Sequence, residues 1–235
     1  MESHRYHSTN NVRQVSAGLL LHEVRALTEG DAIIMSAGTS TVACFLVQLA
    51  RLRGIPVFLV VRDRAPDQLG DVKDRLLGLG AAAVVCESEL RDSLAGRAPS
   101  CLPAKPTLAL DCVFGPVGKL LVESLAPGGA FVLVGLLGGA GANIQVETRH
   151  LFDRRLLFLP FRGSEVMKKL GDCRVEQIVT EIANLFIEGR LKIPEVVTVS
   201  WKGASEAGLQ ETLSVTIDKA RSDSVGYRKI IFVMS

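Results

Sequence analysis

"DAIIMSAGTSTVACFLVQLARLRGIPVFLVVRDR", residues 31–64, decides the fold. A short apolar run, "DAIIMSA", meets a turn of small residues, "GTSTVA". Apolar residues at helical spacing follow in "CFLVQLARLRG", which stops at Gly54. "IPVFLVV" is then a second run, β-branched and wholly apolar. Such runs suit strands covered on both faces, the situation inside a parallel sheet. Strand, helix and strand in one segment make a βαβ unit.

The alternation continues downstream. "APDQLGDVKDRLLGLG" (65–80) reads as a helix closed by Gly80, "AAAVVC" (81–86) as a strand and "ESELRDSL" (87–94) as a short helix. "TLALDCV" (107–113), "VGKLLVESLAPGG" (117–129) and "AFVLVG" (130–135) repeat the pattern. "RLLFLPF" (155–161) is a sixth strand with Pro160 best placed at its end, because proline cannot donate to a ladder. "DCRVEQIVTEIANLFIEG" (172–189) is an amphipathic helix with Ile178, Ile182, Leu185 and Phe186 on one face. The expected fold is therefore α/β, a doubly wound parallel sheet of the Rossmann type with right-handed crossovers. "VVTVSW" (196–201) and "YRKIIFV" (227–233) flank a helical stretch near 203–213 and belong to no βαβ unit. They read as strands of a second sheet. The expected division is a leader and first helix over 1–30, the nucleotide-binding domain over 31–190 and a C-terminal β segment over 191–235.

Composition narrows the function classes. The chain has 235 residues, 48% of them hydrophobic, enough for a sizeable core. A net charge of +2 gives no reason to expect a nucleic-acid or membrane partner. No apolar run reaches the ~18 residues of a membrane-spanning helix. Five cysteines (Cys44, Cys86, Cys101, Cys112, Cys173) form no CxxC pair and read as reduced thiols of a reducing compartment. Four dispersed histidines give no metal site. The polar start, "MESHRYHSTNNVRQVSAG", has Glu2 as its only acid and faintly resembles an organelle transit peptide; a loose end leading into a helix fits it equally well.

Two places carry chemistry. In a doubly wound sheet the first strand-to-helix turn cradles a pyrophosphate, so it needs small residues that let backbone amides approach. Laid on "GTSTVA", the G-x-G-x-x-G/A fingerprint matches Gly38 and Ala43, with Ser40 in the middle position. The alternative is an ordinary tight turn with Ser40 or Thr39 as helix N-cap. The second place lies ~20 residues on, where the residue reading the adenosine ribose ends the second strand. An acid there favours the 2′-OH of NAD. Here Arg62 and Arg64 flank Asp63, and guanidinium forks suit phosphate oxygens, so the expected cofactor is NADP(H). The alternative is a solvated turn with Asp67 capping the next helix.

Residues 30–64, the stretch "LALDCVFGPVGKLLVESLAPGGAFVLVG" and "IANLFIEGRLKIP" together resemble the mitochondrial trans-2-enoyl-CoA reductases of the medium-chain dehydrogenase/reductase superfamily, some of them called nuclear receptor-binding factors. The similarity covers roughly residues 11 to 235, with "VVRDR" and "LAPGG" its most specific parts. It implies an NADPH-dependent reduction of 2-enoyl thioesters in mitochondrial fatty acid synthesis, with hydride to the β-carbon and a proton to the α-carbon. It implies that Thr39, Ser40, Thr41 and Val42 hold the diphosphate, and that Arg62, Asp63 and Arg64 take the 2′-phosphate. Val134, Gly135, Leu136 and Leu137, with Pro160, Phe161 and Arg162, would line the nicotinamide end, and Arg228 stands where the family has a cofactor-binding Lys. Dimerisation through the edge strand "RLLFLPF", unless a helix covers it, and a mitochondrial rather than cytoplasmic location follow from the same resemblance.

The departures concern activity. Arg13 replaces a family Asn, Thr41 puts a β-branched side chain where the family turn has Gly, and Val-Gly-Leu-Leu replaces Tyr-Gly-Gly-Met. A Thr41 at positive φ would carry strain of ~1–2 kcal/mol. The family's N-terminal barrel-like, GroES-like domain supplies a catalytic Tyr, and this chain is expected to start after it. Tyr6 and Tyr227 match no such position, so no catalytic residue is assigned. General-acid assistance of ~10²–10⁴-fold would then have to come from elsewhere. A non-catalytic nucleotide-binding or protein-interaction module and a quinone reductase are the alternatives.

Overall fold

The computed structural model describes residues 7–194, 196–200, 206–221 and 229–233. Six parallel strands form one sheet: β1 (Ile33–Met35), β2 (Val57–Val61), β3 (Ala83–Cys86), β4 (Leu108–Asp111), β5 (Ala130–Leu133) and β6 (Leu157–Pro160). Their order is β3-β2-β1-β4-β5-β6, so the winding reverses between β1 and β4. Every residue of β1, β2 and β4 is buried, as continuous apolar runs covered on both faces require. The doubly wound sheet expected from the sequence is the fold.

The helices follow the punctuation. α2 (Thr41–Leu52) starts after Ser40 and ends before Gly54, whose φ of +70° only glycine adopts readily. α3 (Pro66–Gly78) opens on proline at its first position, with Ala65 as N-cap, so Asp67 sits in the first turn and is not the cap. α4 (Glu87–Leu94) and α5 (Pro116–Ser124) lie over one face, where Leu90, Val117, Leu121 and Val122 join Ile34, Phe58, Val60 and Phe131 in one buried cluster.

On α2's side the chain adds a further layer. α1 (His7–His22) buries Val15, Ala17, Leu19, Leu20 and Leu21 and packs on α2, so the stretch from Val15 to Leu21 belongs to the core. Gly18 of α1 lets α7 (Asp172–Ile187) approach: a Cβ there would lie 3.4 Å from both Ile178 and Ile182. Phe186 meets Phe45 edge to face, with ring centroids 5.8 Å apart. Two elements were not legible beforehand, a π-helical turn Arg149–Asp153 and the short α6 (Gly163–Leu170).

Residues Met1–Lys192 and Ile193–Ser235 are separate compact units. In the second, β7 (Val196–Ser200) and β8 (Lys229–Val233) pair in parallel, and α8 (Glu206–Arg221) lies between them in sequence. These are the two strands of a second sheet expected from the sequence.

Candidate functional site

Because the order reverses between β1 and β4, the turns leaving these two strands diverge and open a crevice. After β1 the chain turns at Ala37, which takes φ +50°. Gly38 then lies flat on β2, its amide donating to the Val60 carbonyl at 2.9 Å. A Cβ at Gly38 would stand 2.9 Å from the Cβ of Leu59, so the close approach belongs to glycine alone.

Ser40 caps α2: its hydroxyl oxygen accepts from the Ala43 amide at 3.2 Å. Thr39 and Val42 are half-buried beside it. Thr41 is the first residue of α2 and is absent from the non-glycine residues of positive φ, so the strain that its side chain would carry there does not arise. The left-handed residue of this turn is Ala37. A helix's first amides have no intrahelical acceptor, so the mouth of α2 is a place that could hold an anion.

The turn after β4 is built on a buried carboxylate. Asp111 is 0% exposed. Its Oδ1 accepts from the Ser36 hydroxyl at 2.6 Å and the Val113 amide at 2.9 Å, and its Oδ2 accepts from the Phe114 amide at 3.1 Å. The Ser36 oxygen in turn accepts from the Cys112 amide at 2.8 Å. One network thus ties the β1 and β4 turns together across the crevice. Gly118 leaves room for it, since a Cβ there would fall 2.5 Å from Oδ2. Burial, then the neighbouring Asp111, push the Cys112 thiol up to about 12.

The segment after β5 packs backbone to backbone on that turn. Val134 donates to the Asp111 carbonyl at 2.7 Å, Leu137 to Cys112 at 3.0 Å and Gly138 to Val113 at 2.8 Å. A Cβ on Gly135 would lie 3.2 Å from the Cys112 carbonyl oxygen. Leu136 and Leu137 are 55% and 74% exposed. At the next strand's end Pro160 closes β6, Phe161 is buried with its amide on the Leu133 carbonyl, and Arg162 pairs with Glu165 at 2.7 Å. An apolar hollow of about 370 Å³ opens between Phe114, Phe131, Ile144, Phe158 and Pro160.

At the end of β2, Arg62 and Asp63 are exposed and Arg64 is half-buried. Arg64 folds back, its Nη1 donating to the Arg62 carbonyl at 2.8 Å. Burial, then the Arg62 and Arg75 cations, lower its pKa. Asp63 faces the other way: its Oδ1 accepts from the Ser88 hydroxyl at 2.7 Å and the Ser88 amide at 3.1 Å. Burial raises its pKa, but hydrogen bonds from Cys86 and Ser88 outweigh this and lower it overall. Burial, then Asp63, raise the pKa of nearby Glu87.

The structure thus brings together the turn residues 38–42, the strand end 62–64 and the segments 134–137 and 160–162 along the carboxyl ends of one sheet. Arg228 lies outside the described residues, as do Tyr6 and Tyr227. Ser36, Ser88 and Asp111 went unnoticed in the sequence; an acid ending the apolar run "LALD" was the available signal for Asp111. Among the described residues no cluster of three or more His, Cys, Asp or Glu could hold a metal ion, and no helix is long and apolar enough to cross a membrane.

No family model matches the chain. It is 30% identical over 210 residues to the mitochondrial enoyl-[acyl-carrier-protein] reductase of Rattus norvegicus, covering 89% of this chain and 54% of that protein. The Arabidopsis thaliana and Mus musculus proteins of the same name are 31% and 32% identical, over 80% and 85% of this chain and 48% and 52% of theirs. The chain therefore spans about half the length of the curated relatives it matches. Among solved structures, the complex of Etr1p with NADP and crotonyl-CoA superposes with a TM-score of 0.74 at 20% identity, over 96% of this chain and 60% of that one. A Bacillus thuringiensis protein described as an NADPH:quinone reductase does so at 0.73 and 18%, over 97% and 63%.

Proposed function

We propose that this chain, a homologue of the mitochondrial enoyl-[acyl-carrier-protein] reductases across most of its length, is the cofactor-holding part of an NADPH-dependent reductase of 2-enoyl thioesters. The observation that carries the reading is the end of β2, where the Arg62 cation is near enough to lower the Arg64 pKa and the intervening acid is turned onto Ser88. Two like charges close together are relieved by an anion between them, and a 2′-phosphate supplies one. The glycine-backed turn supports the same reading: the space that a Cβ at Gly38 would occupy is taken by β2, which leaves bare backbone at the mouth of α2.

When bound, the nicotinamide nucleotide supplies the hydride that goes to the β-carbon of the thioester. The chain's own residues bind and orient. The amides around Thr39–Val42 hold the diphosphate, and Arg62 and Arg64 hold the 2′-phosphate. The 134–137 segment, pinned to the β4 turn, and Pro160–Phe161–Arg162 border the nicotinamide end. The exposed Leu136 and Leu137 offer it apolar surface and no side-chain hydrogen bond.

The proton for the α-carbon needs a donor, and both tyrosines lie outside the described residues. We place the donor outside the part described, with a mitochondrial location carried over from the relatives' names. Pairing of two β6 strands into a dimer fits the exposed Leu157 and Leu159 on this last strand, since α7 packs against α1 and α6 instead. The experiment is NADPH oxidation by the purified chain with crotonyl-CoA. Turnover supports the full reading. NADPH binding without turnover keeps the cofactor role and removes the claim that this chain alone completes the reduction. Turnover of a quinone but not of crotonyl-CoA overturns the substrate class.

A further inference from the structure

An acid beside two arginines at the end of β2 poses a problem for the proposed cofactor preference. A free carboxylate there would repel a 2′-phosphate, accept the 2′-OH of NADH, or pair with the very guanidiniums that phosphate needs. The fold resolves this at a distance of 25 residues in sequence. The β2–β3 ladder ends on the pair Val61 and Cys86, so the chain leaving β2 runs beside the start of α4. There Ser88 presents both its hydroxyl (2.7 Å) and its amide (3.1 Å) to a single oxygen of Asp63.

The receiving end is itself fixed. The Glu89 carboxylate accepts from the Cys86 amide at 2.8 Å and from the Lys73 ammonium at 2.6 and 2.8 Å, which ties the first turn of α4 to α3. The positive end of α4 adds to the attraction, since the first amides of a helix favour an anion. Asp63 is thus held on α4, while Arg64 folds onto the strand end through the Arg62 carbonyl.

We infer that Ser88 is a specificity-determining positioning residue: by holding the Asp63 carboxylate on α4, it keeps that negative charge away from the 2′-phosphate and so sets NADPH over NADH. The inference rests on the cofactor reading above and adds to it a residue that would touch no part of the cofactor. The Ser88 hydroxyl also meets the Cys86 thiol at 3.2 Å, but it bears on the choice of cofactor through the acid at 63. With a neutral residue at 63 it no longer affects that choice.

The test is fluorescence titration of NADPH and NADH with the wild-type chain, Ser88→Ala, Ser88→Thr, Asp63→Asn and the Asp63→Asn/Ser88→Ala double variant. Losing one hydrogen bond to a carboxylate corresponds to about a fivefold change in selectivity. Ser88→Ala is expected to lower the NADPH-over-NADH preference by about that factor, chiefly through weaker NADPH binding. Ser88→Thr, which keeps the hydroxyl, restores it. In the Asp63→Asn background the alanine substitution changes the preference less than about twofold, because there is no charge left to restrain. An unchanged preference in Ser88→Ala overturns the inference while leaving the cofactor reading intact. Equal loss of both nucleotides, or the same loss with and without Asp63, also overturns it, because that is what a merely structural serine would do. A wild-type chain that binds neither nucleotide removes the cofactor reading itself, and the inference with it.

Discussion

Replacing Gly118 with alanine tests the network that joins the two crevice turns. Alanine in place of glycine ordinarily stabilises a helix by up to about 1 kcal/mol. Here the new methyl would stand 2.5 Å from Asp111 Oδ2 and 3.1 Å from the Ile144 side chain. The carboxylate has nowhere to retreat: it is fully buried and held by Ser36, Val113 and Phe114. Moving it stretches two of these bonds, at about 1–2 kcal/mol each. After the helix gain is subtracted, Gly118→Ala is expected to destabilise by about 1–3 kcal/mol, or a few degrees in Tm for a unit of this size. Gly70 in α3 is the control, because a Cβ there meets nothing within 4 Å. Gly70→Ala should stabilise by up to about 1 kcal/mol. The assay is thermal unfolding followed by circular dichroism, with urea unfolding as a second measure. Opposite signs for the two glycines support the reasoning; a stabilised Gly118→Ala would show that Asp111 is not held as described.

Three further outcomes follow from the same geometry. Ala37→Gly should raise stability by about 0.5–1 kcal/mol in urea unfolding, because the turn holds Ala37 at φ +50°; a loss of stability would contradict that backbone. Thiol labelling near pH 8 should be fast at the exposed Cys173, whereas Cys112, raised to about 12 by burial and Asp111, should label only on unfolding; if Cys173→Ser leaves the fast phase intact, the assignment fails. Asp31 has its pKa lowered by hydrogen bonds from Thr107 and Thr28, so its stabilisation is complete above the unfolded value of 3.8 and is lost as pH falls through the lower folded value. The Tm difference between wild type and Asp31→Asn should therefore grow as pH rises from about 2 to about 5 and level off beyond; a difference independent of pH would refute the linkage.

The fold was legible because its strands are continuous apolar runs and its helices stop at glycine, and both are local signals. "ESELRDSL" and "DCRVEQIVTEIANLFIEG" mark their helices to within two residues for that reason. Pro160 could only end β6, and it does. Of the two readings of the N-terminal stretch, the end leading into a helix agrees with α1; its packing on α2 is a long-range contact that polarity along the chain does not show. Thr41 misled because the G-x-G-x-x-G template does not say which residue takes the left-handed turn; the conformation fell on Ala37, and Thr41 became the first residue of α2. Asp63 and Ser88 are 25 positions apart, and Ser36 and Asp111 75 apart. Such pairs are set by strand register and turn geometry, which no pattern along the chain reveals. The strand-end arginines could be read from position alone; what the neighbouring acid does could not.

The most direct test of the account is a side-by-side titration of the purified chain with NADPH and NADH, repeated with Arg62→Ala. The account predicts submillimolar binding of NADPH, a preference over NADH of about tenfold or more, and selective loss of NADPH affinity in the variant. Equal affinity for the two nucleotides, or equal losses on removing Arg62, would contradict it.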